Sequence, residues 1–323
     1  MIDKWGRSIN YLRISVTDRC NLRCMYCMPE KNIAFMAEKN FLTDKEIYSI
    51  TKAVSQIGIS KVRITGGEPL IREGIVSLIK DIKALSDIKE VCITTNGILL
   101  QKHLDLLIDA GLDGVNISLD TFKKDLYKKI TVLGDLETVL RSIDSCIKKG
   151  LKVKLNTVII EDYNESEIID FVKYIEDKPV DVRFIELMPI GQGKSFKSIP
   201  TEKVKNIILK DRNLIPYHNK KNQEGPAVYF KTEKSLGKIG FISAMSNCFC
   251  DDCNRIRLTA EGFLKQCLHW NYGIDLKKVI RQGVSEEEFK KIIEDTIYNK
   301  PDKHNFNSKN NDDDNRLMYQ IGG

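Results

Sequence analysis

The sequence predicts an α/β protein: a partial (βα)6 barrel of the TIM type, followed by a smaller C-terminal α+β domain. Between residues 11 and 189, strand-like and helix-like segments alternate six times, which indicates parallel strands joined by crossover helices. Six units are too few for a complete eight-stranded barrel, so the barrel should be open. After residue 195 the segments become short and turn-rich, as in antiparallel sheets. We therefore predict one domain over residues 1–195 and another over residues 196–323.

The predicted elements of the barrel follow from hydrophobic periodicity. The six strands are Tyr11–Thr17, Lys61–Thr65, Val91–Thr95, Gly114–Leu119, Lys152–Val158 and Asp181–Leu187. Between them we predict helices at Asp44–Ile57, Ile75–Leu85, Gln101–Ala110, Asp135–Lys149 and Ser166–Asp177.

Polar residues recur with a period of two along four of these strands, which places them on one face. They are Arg13, Ser15 and Thr17; Lys61, Arg63 and Thr65; Asn116 and Ser118; and Lys152, Lys154 and Asn156. Strands of parallel barrels are ordinarily apolar on both faces. The pattern therefore predicts a polar lumen inside the barrel.

The C-terminal region should contain a helix over residues 201–212 and antiparallel strands at Ala227–Lys231 and Lys238–Ser243. Asn254–Thr259 and Gly262–Cys267 are predicted to form a hairpin, which would fold Cys267 back toward Cys250 and Cys253. Residues 301–315 are polar and include three consecutive aspartates, so we expect a mobile linker there.

Composition narrows the class of protein. The 323 residues carry a net charge of +6 with both signs mixed along the chain, so no nucleic-acid-binding patch is apparent, although a pocket for a small anion fits the surplus of cations. No signal peptide or bilayer-spanning run is visible, and nine cysteines favour metal or redox chemistry in the cytoplasm over disulfides. Cys92 and Cys146 lie in apolar segments and are interpreted as ordinary buried residues.

The first cysteine group is Cys20, Cys24 and Cys27, directly after the first predicted strand. A cubane iron–sulfur cluster needs four outside ligands, so three cysteines would leave one iron open for a small molecule. A zinc knuckle or a disulfide pair is the alternative for such spacing. The segment Gly66-Gly67-Glu68-Pro69 follows the second strand, and its glycines would let the backbone approach a ligand closely.

Together these two motifs resemble those of the radical S-adenosylmethionine (SAM) family. The resemblance implies that Cys20, Cys24 and Cys27 hold a [4Fe-4S] cluster whose open iron binds SAM, and that the cluster cleaves SAM to a 5′-deoxyadenosyl radical. It further implies a set of SAM contacts: Tyr26, Gly67, Glu68, Ser118 and Met188.

A second cysteine group comprises Cys250, Cys253 and Cys267. A zinc site would want a fourth ligand, which Cys248 or His269 could supply. The block Phe249–Leu258, the segment Arg183–Pro189 and the final Ile321-Gly322-Gly323 make the chain similar to the GTP-cyclising branch of the radical SAM family, which acts in molybdenum-cofactor biosynthesis. The chain departs from that pattern at Cys248 and at His269-Trp270.

This closer resemblance implies a second [4Fe-4S] cluster on Cys250, Cys253 and Cys267, with an open iron that contacts guanine. It implies GTP contacts from Arg13, Lys61, Arg63, Thr94, Lys154, Arg183, Arg255 and Arg257. The tail residues Gly322 and Gly323 would enter the active site and assist the radical step.

The reaction implied is removal of the C3′ hydrogen of GTP and ring closure at C8, giving (8S)-3′,8-cyclo-7,8-dihydroguanosine 5′-triphosphate. The implied partners are an electron donor, the downstream cyclic pyranopterin monophosphate synthase and a second copy of the chain in a homodimer. Two other functions fit some of the motifs. A radical SAM peptide-modifying enzyme with an auxiliary cluster would usually carry more cysteines, and a non-catalytic zinc or iron–sulfur protein would explain neither the Gly-Gly-Glu-Pro loop nor the polar lumen.

Overall fold

A computed structural model of the chain describes residues 1–217, 225–306, 314 and 316–322. Its first part contains six parallel strands that follow one another in the sheet. They are β1 (Tyr11–Ser15), β2 (Lys61–Thr65), β3 (Glu90–Thr95), β4 (Gly114–Ser118), β5 (Lys152–Ile159) and β6 (Asp181–Glu186). The predicted six strands are thus confirmed, with ends that differ by one or two residues.

Helices connect these strands on the outside of the sheet. They are α1 (Asp44–Gln56), α2 (Ile75–Lys83), α3 (Leu100–Asp109), α4 (Lys124–Thr131), α5 (Leu136–Lys148) and α6 (Ile168–Asp177). The sequence analysis does not predict α4, because this short, lysine-rich helix buries only Tyr127, Ile130 and Thr131. In α1, Thr43 forms a capping box with Glu46, which satisfies backbone donors at the start of the helix.

The strands pack their apolar side chains under these helices. Leu12 and Ile14 of β1 and Val62 and Ile64 of β2 are fully buried in this outer layer. The alternate residues of each strand point the other way, because successive side chains leave a strand on opposite faces. The inner face of the sheet is therefore the polar one, as the alternation predicts.

The C-terminal region adds α7 (Thr201–Leu209), β7 (Ile215–Pro216), β8 (Val228–Lys231), β9 (Ile239–Ile242), β10 (Arg255–Leu258), β11 (Phe263–Lys265), β12 (Gly273–Asp275), α8 (Leu276–Arg281), α9 (Glu286–Tyr298) and α10 (Met318–Ile321). The antiparallel pair β8–β9 and the hairpin β10–β11 are confirmed. These strands also extend the barrel sheet: β9 pairs in parallel with β6, and β10 pairs in parallel with β1. The division into two domains at residue 195 stays a prediction.

Within the described residues, no helix is long and apolar enough to cross a membrane.

Glu186, the last residue of β6, holds the C-terminal region against the barrel. Its buried carboxylate accepts hydrogen bonds from the backbone of Thr201 at 2.7 Å, Met245 at 2.7 Å and Ser246 at 2.9 Å, and from the Ser246 hydroxyl. Burial alone would raise the pKa of Glu186, but these bonds outweigh it and hold the pKa below the ordinary value of 4.5.

Replacing Glu186 by Gln should lower the free energy of unfolding by about 1–3 kcal/mol, because an amide cannot accept all of these bonds. The native pKa lies below that of the unfolded chain, so the ionised carboxylate stabilises the fold above pH 4.5 and loses this effect as the pH falls through the native value. The difference between wild type and Glu186→Gln should therefore shrink on acidification, as measured by urea unfolding at several pH values.

The matched control is Glu202→Gln in α7, where the side chain is 73% exposed and its carboxylate accepts from Lys205. This change should have little effect at any pH. Equal unfolding curves for the two variants would contradict the role given to Glu186.

Candidate active site

One cavity fills the inside of the barrel, and both cysteine groups line it. Cys20, Cys24 and Cys27 follow the carboxyl end of β1, whereas Cys250 and Cys253 precede the amino end of β10. Because β1 and β10 run in parallel, with Tyr11 opposite Arg255, the two groups lie at opposite ends of the lumen. The length of β1 separates those ends by about 13 Å at the usual rise per residue.

The first cysteine group consists of three half-buried thiols on one loop. Burial raises the pKa of Cys20 to about 11 and that of Cys27 to about 12. Burial and the other two cysteines raise the pKa of Cys24 well above its ordinary value. Three such thiols side by side would ionise only next to a cation, so this donor set fits an iron–sulfur cluster.

The Gly-Gly-Glu-Pro loop lies directly against the chain that leads into Cys20. The backbone N–H of Gly67 donates to Thr17 at 2.8 Å, and that of Glu68 donates to Arg19 at 2.8 Å. A Cβ at Gly67 would lie 2.2 Å from the carbonyl oxygen of Arg19, so only glycine fits there. The loop therefore positions the cysteine loop as well as lining the cavity.

Glu68 faces away from the cavity in this arrangement. Its fully buried carboxylate accepts hydrogen bonds from Leu70 N at 3.0 Å, Thr95 Oγ1 at 2.8 Å and Asn96 N at 2.8 Å. Burial raises its pKa to about 7 despite these bonds. The carboxylate joins the loops after β2 and β3, and its contact with SAM stays a prediction.

The other predicted SAM contacts, Tyr26, Ser118, Gly67 and Met188, all line the cavity at the end that carries the first cysteine group. The Tyr26 hydroxyl donates to Asp120 at 2.7 Å, and burial raises the pKa of Asp120 to about 6. These four assignments stay predictions that the geometry permits.

Two polar residues at this end were missed by the sequence analysis. Asp120 follows β4 and holds Tyr26, while Asn96 follows β3 and donates to Asn21 in the cysteine loop at 2.8 Å. Both come directly after a strand of the parallel sheet, where active-site residues of barrels concentrate. That position is the signal that could have found them.

Three arginines lie side by side across β10, β1 and β2, and we call them the arginine row: Arg257, Arg13 and Arg63. Arg13 is opposite both Arg257 and Arg63 in the strand register. Burial, followed by the charge of Arg257, lowers the pKa of Arg13, and burial and Arg255 lower the pKa of Arg257 to about 10. The row therefore concentrates positive charge in a place with little water.

Several polar atoms around the row are buried and have no hydrogen-bond partner within the described residues. They are Arg63 Nη1, Arg183 Nε and Nη2, Thr94 Oγ1 and Asn156 Oδ1. Nor does any carboxylate in the described part of the chain form an ion pair with Arg63, Arg183 or Arg257. An unpaired buried polar atom costs about 1–3 kcal/mol, so this lumen fits an anionic ligand with many acceptors.

Of the eight predicted GTP contacts, six line the cavity: Arg13, Arg63, Thr94, Arg183, Arg255 and Arg257. In the described structure, Lys61 and Lys154 lie outside that lining. Lys61 forms an ion pair with Glu90 at 2.8 Å, and Lys154 lies 3.8 Å from the carboxylate of Asp181. Their contacts with GTP stay predictions, and the structure does not bring them to the row.

The second cysteine group surrounds the opposite end of the lumen. The hairpin places Lys265 of β11 opposite Arg257, so Cys267 returns to the level of Arg255, beside Cys253. Burial alone would raise the pKa of Cys253, but Arg255 and Lys300 lower it to about 6. Cys253 is therefore ready to bind a metal as a thiolate, which fits a cluster at this end.

Cys248 and His304 also approach this group. One donor atom each from Cys248, Cys250 and His304 lie within 4.8 Å of one another. Cys248 and His269 are the two alternatives for a fourth ligand in the sequence. Cys248 belongs to this trio, whereas His269 does not. His304 was missed, because a histidine in a polar segment without periodicity gives no sequence signal.

The described part of segment 301–315, which was predicted to be a mobile linker, forms hydrogen bonds with the rest of the chain. Arg7 donates to the carbonyl oxygens of Pro301 and Asp302, both at 2.7 Å, and the Trp270 indole donates to that of Lys303 at 2.8 Å. Asp314 forms a buried ion pair with Lys265. Residues 307–313 and 315 lie outside the described part.

The C-terminal tail enters the lumen. The carbonyl oxygen of Gly322 accepts hydrogen bonds from Arg257 at 3.1 Å and Arg13 at 3.5 Å. Gly322 has a φ of +81°, and a Cβ there would lie 2.8 Å from the Thr65 side chain and 2.9 Å from Ser15. The tail thus needs glycine both for its backbone conformation and for space. Gly323 lies outside the described residues.

Comparisons with protein families match both parts of the chain. A family model described as the Radical SAM superfamily matches residues 14–175. A second one, described as Molybdenum Cofactor Synthesis C, matches residues 180–306.

Full-length relatives share one name. The GTP 3′,8-cyclase of Clostridium perfringens (strain 13 / Type A) is 53% identical over 323 residues, and that of Alkaliphilus oremlandii (strain OhILAs) is 46% identical over 324 residues. Each alignment covers 100% of both chains. The solved structure of Streptococcus suis SuiB bound to S-adenosylmethionine has a TM-score of 0.60 at 16% identity, covering 81% of this chain and 60% of that one, which shows a shared fold.

Replacing Gly322 by Ala should release the tail from the lumen, because the added methyl group would contact Thr65 and Ser15 and the φ of +81° disfavours alanine. Hydrogen–deuterium exchange read by mass spectrometry should then show faster exchange in residues 316–322. Exchange in β1 and β2 should change far less.

The control is Gly150→Ala, which has a similar φ of +72° but no atom within 4 Å of the new methyl group. It should leave exchange in the tail unchanged. If the tail of Gly322→Ala exchanged as slowly as that of the wild type, the insertion described above would be refuted.

Proposed function

This chain belongs to the GTP 3′,8-cyclase family of radical SAM enzymes, and we propose that GTP lies along the barrel lumen with its triphosphate against the arginine row. The reaction is the cyclisation of GTP in molybdenum-cofactor synthesis. The product expected from that reaction is (8S)-3′,8-cyclo-7,8-dihydroguanosine 5′-triphosphate. The positions of this chain's residues indicate what each would contribute to the reaction.

The end of the lumen with the first cysteine group would hold a [4Fe-4S] cluster and SAM. When bound there, they supply a 5′-deoxyadenosyl radical that can remove the C3′ hydrogen of GTP. Cys20, Cys24 and Cys27, which line this end of the cavity, would be the ligands, and three cysteines would leave one iron open. Tyr26, held by Asp120, would orient the bound SAM.

The arginine row gives the strongest support for a triphosphate ligand. The guanidinium groups of Arg13, Arg63 and Arg257 lie in register, and no carboxylate of the described chain forms an ion pair with Arg63 or Arg257. The Tyr11 hydroxyl accepts a hydrogen bond from Arg63. A triphosphate has several negative oxygens that can accept bonds from the forked guanidinium groups. The unpaired nitrogens of Arg183 face the same cavity and would bind the same ligand.

The guanine base would reach the opposite end, near Cys250, Cys253 and Cys267. We propose that these three cysteines hold a second [4Fe-4S] cluster with an open iron toward the base. The lowered pKa of Cys253, caused by Arg255 and Lys300, supports this proposal. The separation of the two ends, about 13 Å along β1, suits a nucleoside triphosphate that contacts both.

The tail would close the lumen beside the ribose. Gly322 lies next to Ser15 and Thr65, near the carboxyl ends of β1 and β2, which is the end where the radical forms. There it would exclude water and hold the C3′ position toward SAM. Gly323 is proposed to act with it.

The remaining partners are also part of the proposal. Each SAM opened consumes one external electron, so a one-electron donor is required. A reactive cyclised nucleotide suits direct transfer to the downstream cyclic pyranopterin monophosphate synthase. Homodimer formation and a cytoplasmic location rest on the family resemblance and on the nine free cysteines, which a reducing compartment would preserve.

A peptide-modifying activity, the alternative within the same fold, would not require the arginine row. A neutral peptide segment offers no charge to offset three buried guanidinium groups. The lumen therefore favours the nucleotide.

Replacing Arg183 by Gln should weaken GTP binding on the order of tenfold to a hundredfold, because one charge-assisted contact worth roughly 1.5–3 kcal/mol is lost. Without GTP the variant should be at least as stable as the wild type, since Nε and Nη2 of Arg183 have no partner in the described chain. Isothermal titration of the anaerobic, cluster-loaded enzyme with GTP and its thermal unfolding measure the two effects.

Arg141→Gln serves as the control, because Arg141 is 58% exposed on α5, outside the barrel. It should change neither quantity. Unchanged GTP affinity in Arg183→Gln would remove Arg183 from the binding site and weaken the assignment of the lumen to GTP.

A further inference from the structure

The thiols of Cys248 and Cys250 and a ring nitrogen of His304 come together beside the second cysteine group. The three donor atoms all lie within 4.8 Å of one another. Tetrahedral ligands bound to one ion at 2.0–2.3 Å are separated by roughly 3.3–3.8 Å, so a small contraction would complete the geometry. We propose that Cys248, Cys250 and His304 form a site for a single thiophilic divalent cation of the Zn²⁺ class.

The side chain of His304 also indicates a ligand. Both of its ring nitrogens are buried, and neither has a hydrogen-bond partner within the described residues. The ring packs against Phe306, with centroids 4.6 Å apart. A buried imidazole with no partner is costly, and a cation would use one nitrogen directly.

The fold brings the ligands together without any metal. Arg7, fixed by a 2.7 Å ion pair with Asp3, donates to the carbonyl oxygen of Cys250 at 3.0 Å and to that of Asp302 at 2.7 Å. This one buried side chain therefore links the cysteine loop to the segment that carries His304. Cys250 and His304, which are more than fifty residues apart in sequence, therefore already lie close to the positions that they would have around a bound ion.

The donor set selects the class of metal. Two thiolates and one neutral imidazole balance the charge of a divalent ion, and sulfur with nitrogen suits zinc better than calcium or magnesium. Cys248 is exposed, which gives the ion a path of entry. Three protein ligands leave a fourth position for water.

Sharing of Cys250 has a consequence for the proposed second cluster. The same thiolate would complete either the single-ion site or the cubane on Cys250, Cys253 and Cys267, so occupancy of one excludes the other. A chain loaded with zinc would keep its first cluster and lose the iron that faces guanine. This consequence rests on the proposed function, whereas the single-ion site does not.

The site is tested with Co²⁺, which reports thiolate ligands by charge-transfer absorption and tetrahedral geometry by its visible bands. The background is the full-length, metal-free, reduced chain in which Cys20, Cys24 and Cys27 are replaced by Ser. We expect one Co²⁺ per chain with the spectrum of two thiolates.

Adding Cys248→Ser or His304→Ala to this background should reduce Co²⁺ affinity by more than the roughly 10- to 100-fold that loss of an outer-shell partner costs. Adding Cys253→Ser should leave both the affinity and the spectrum unchanged. Cys248 is exposed, so its replacement does not endanger folding. Cobalt bands that survive Cys248→Ser and disappear in Cys253→Ser would overturn the proposal, as would failure to bind Co²⁺ at all.

A second measurement tests the competition. The chain with its natural cysteines is reconstituted with iron and sulfide, with and without one equivalent of Zn²⁺, and iron is counted. We expect about eight irons per chain without zinc and about four with it, as two cubanes and one contain. Cys248→Ser should retain about eight in both. Equal zinc sensitivity in the wild type and Cys248→Ser would contradict the exclusion, and four irons without zinc would count against the second cluster alone.

Discussion

The repulsion among buried arginines is the constraint on which the organisation of the lumen depends. Strand register places Arg257, Arg13 and Arg63 next to one another on β10, β1 and β2, where water cannot screen their charges. Within the described chain, the neutral carbonyl of Gly322 accepts hydrogen bonds from Arg257 and Arg13, and the Tyr11 hydroxyl accepts one from Arg63. An anionic ligand bound beside this row would be stabilised by the three positive charges. The row therefore favours anionic ligands in the cavity.

The parallel direction of the strands explains why the two cysteine groups lie at opposite ends of one lumen. A loop after β1 and a loop before β10 must lie at opposite ends of neighbouring parallel strands. The cysteine groups therefore cannot merge into one site. Glu186 and Arg7 hold the C-terminal loops to the barrel, so the far end of the lumen is shaped by buried polar bonds as much as by apolar packing.

Much of this could be predicted from sequence because it depends on local patterns. Hydrophobic periodicity located six strands, period-two alternation located the polar face of four of them, and cysteine spacing located both cysteine groups. Pairing between distant segments was harder: nothing local shows that β9 and β10 join the barrel sheet. Alternation also places Lys61 and Lys154 on strands without showing that Glu90 and Asp181 pair with them. His304 escaped notice because no sequence pattern shows that Arg7 links the segment carrying it to the loop of Cys250.

GTP is proposed to lie in the lumen with its C3′ hydrogen toward the first cysteine group. The most direct measurement uses GTP deuterated at C3′, incubated anaerobically with SAM, a chemical reductant and the enzyme reconstituted with iron and sulfide. Mass spectrometry of the released 5′-deoxyadenosine reports where its new hydrogen came from. We expect one deuterium per molecule and release that depends on GTP. Deuterium-free 5′-deoxyadenosine, or equal release without GTP, would contradict the account.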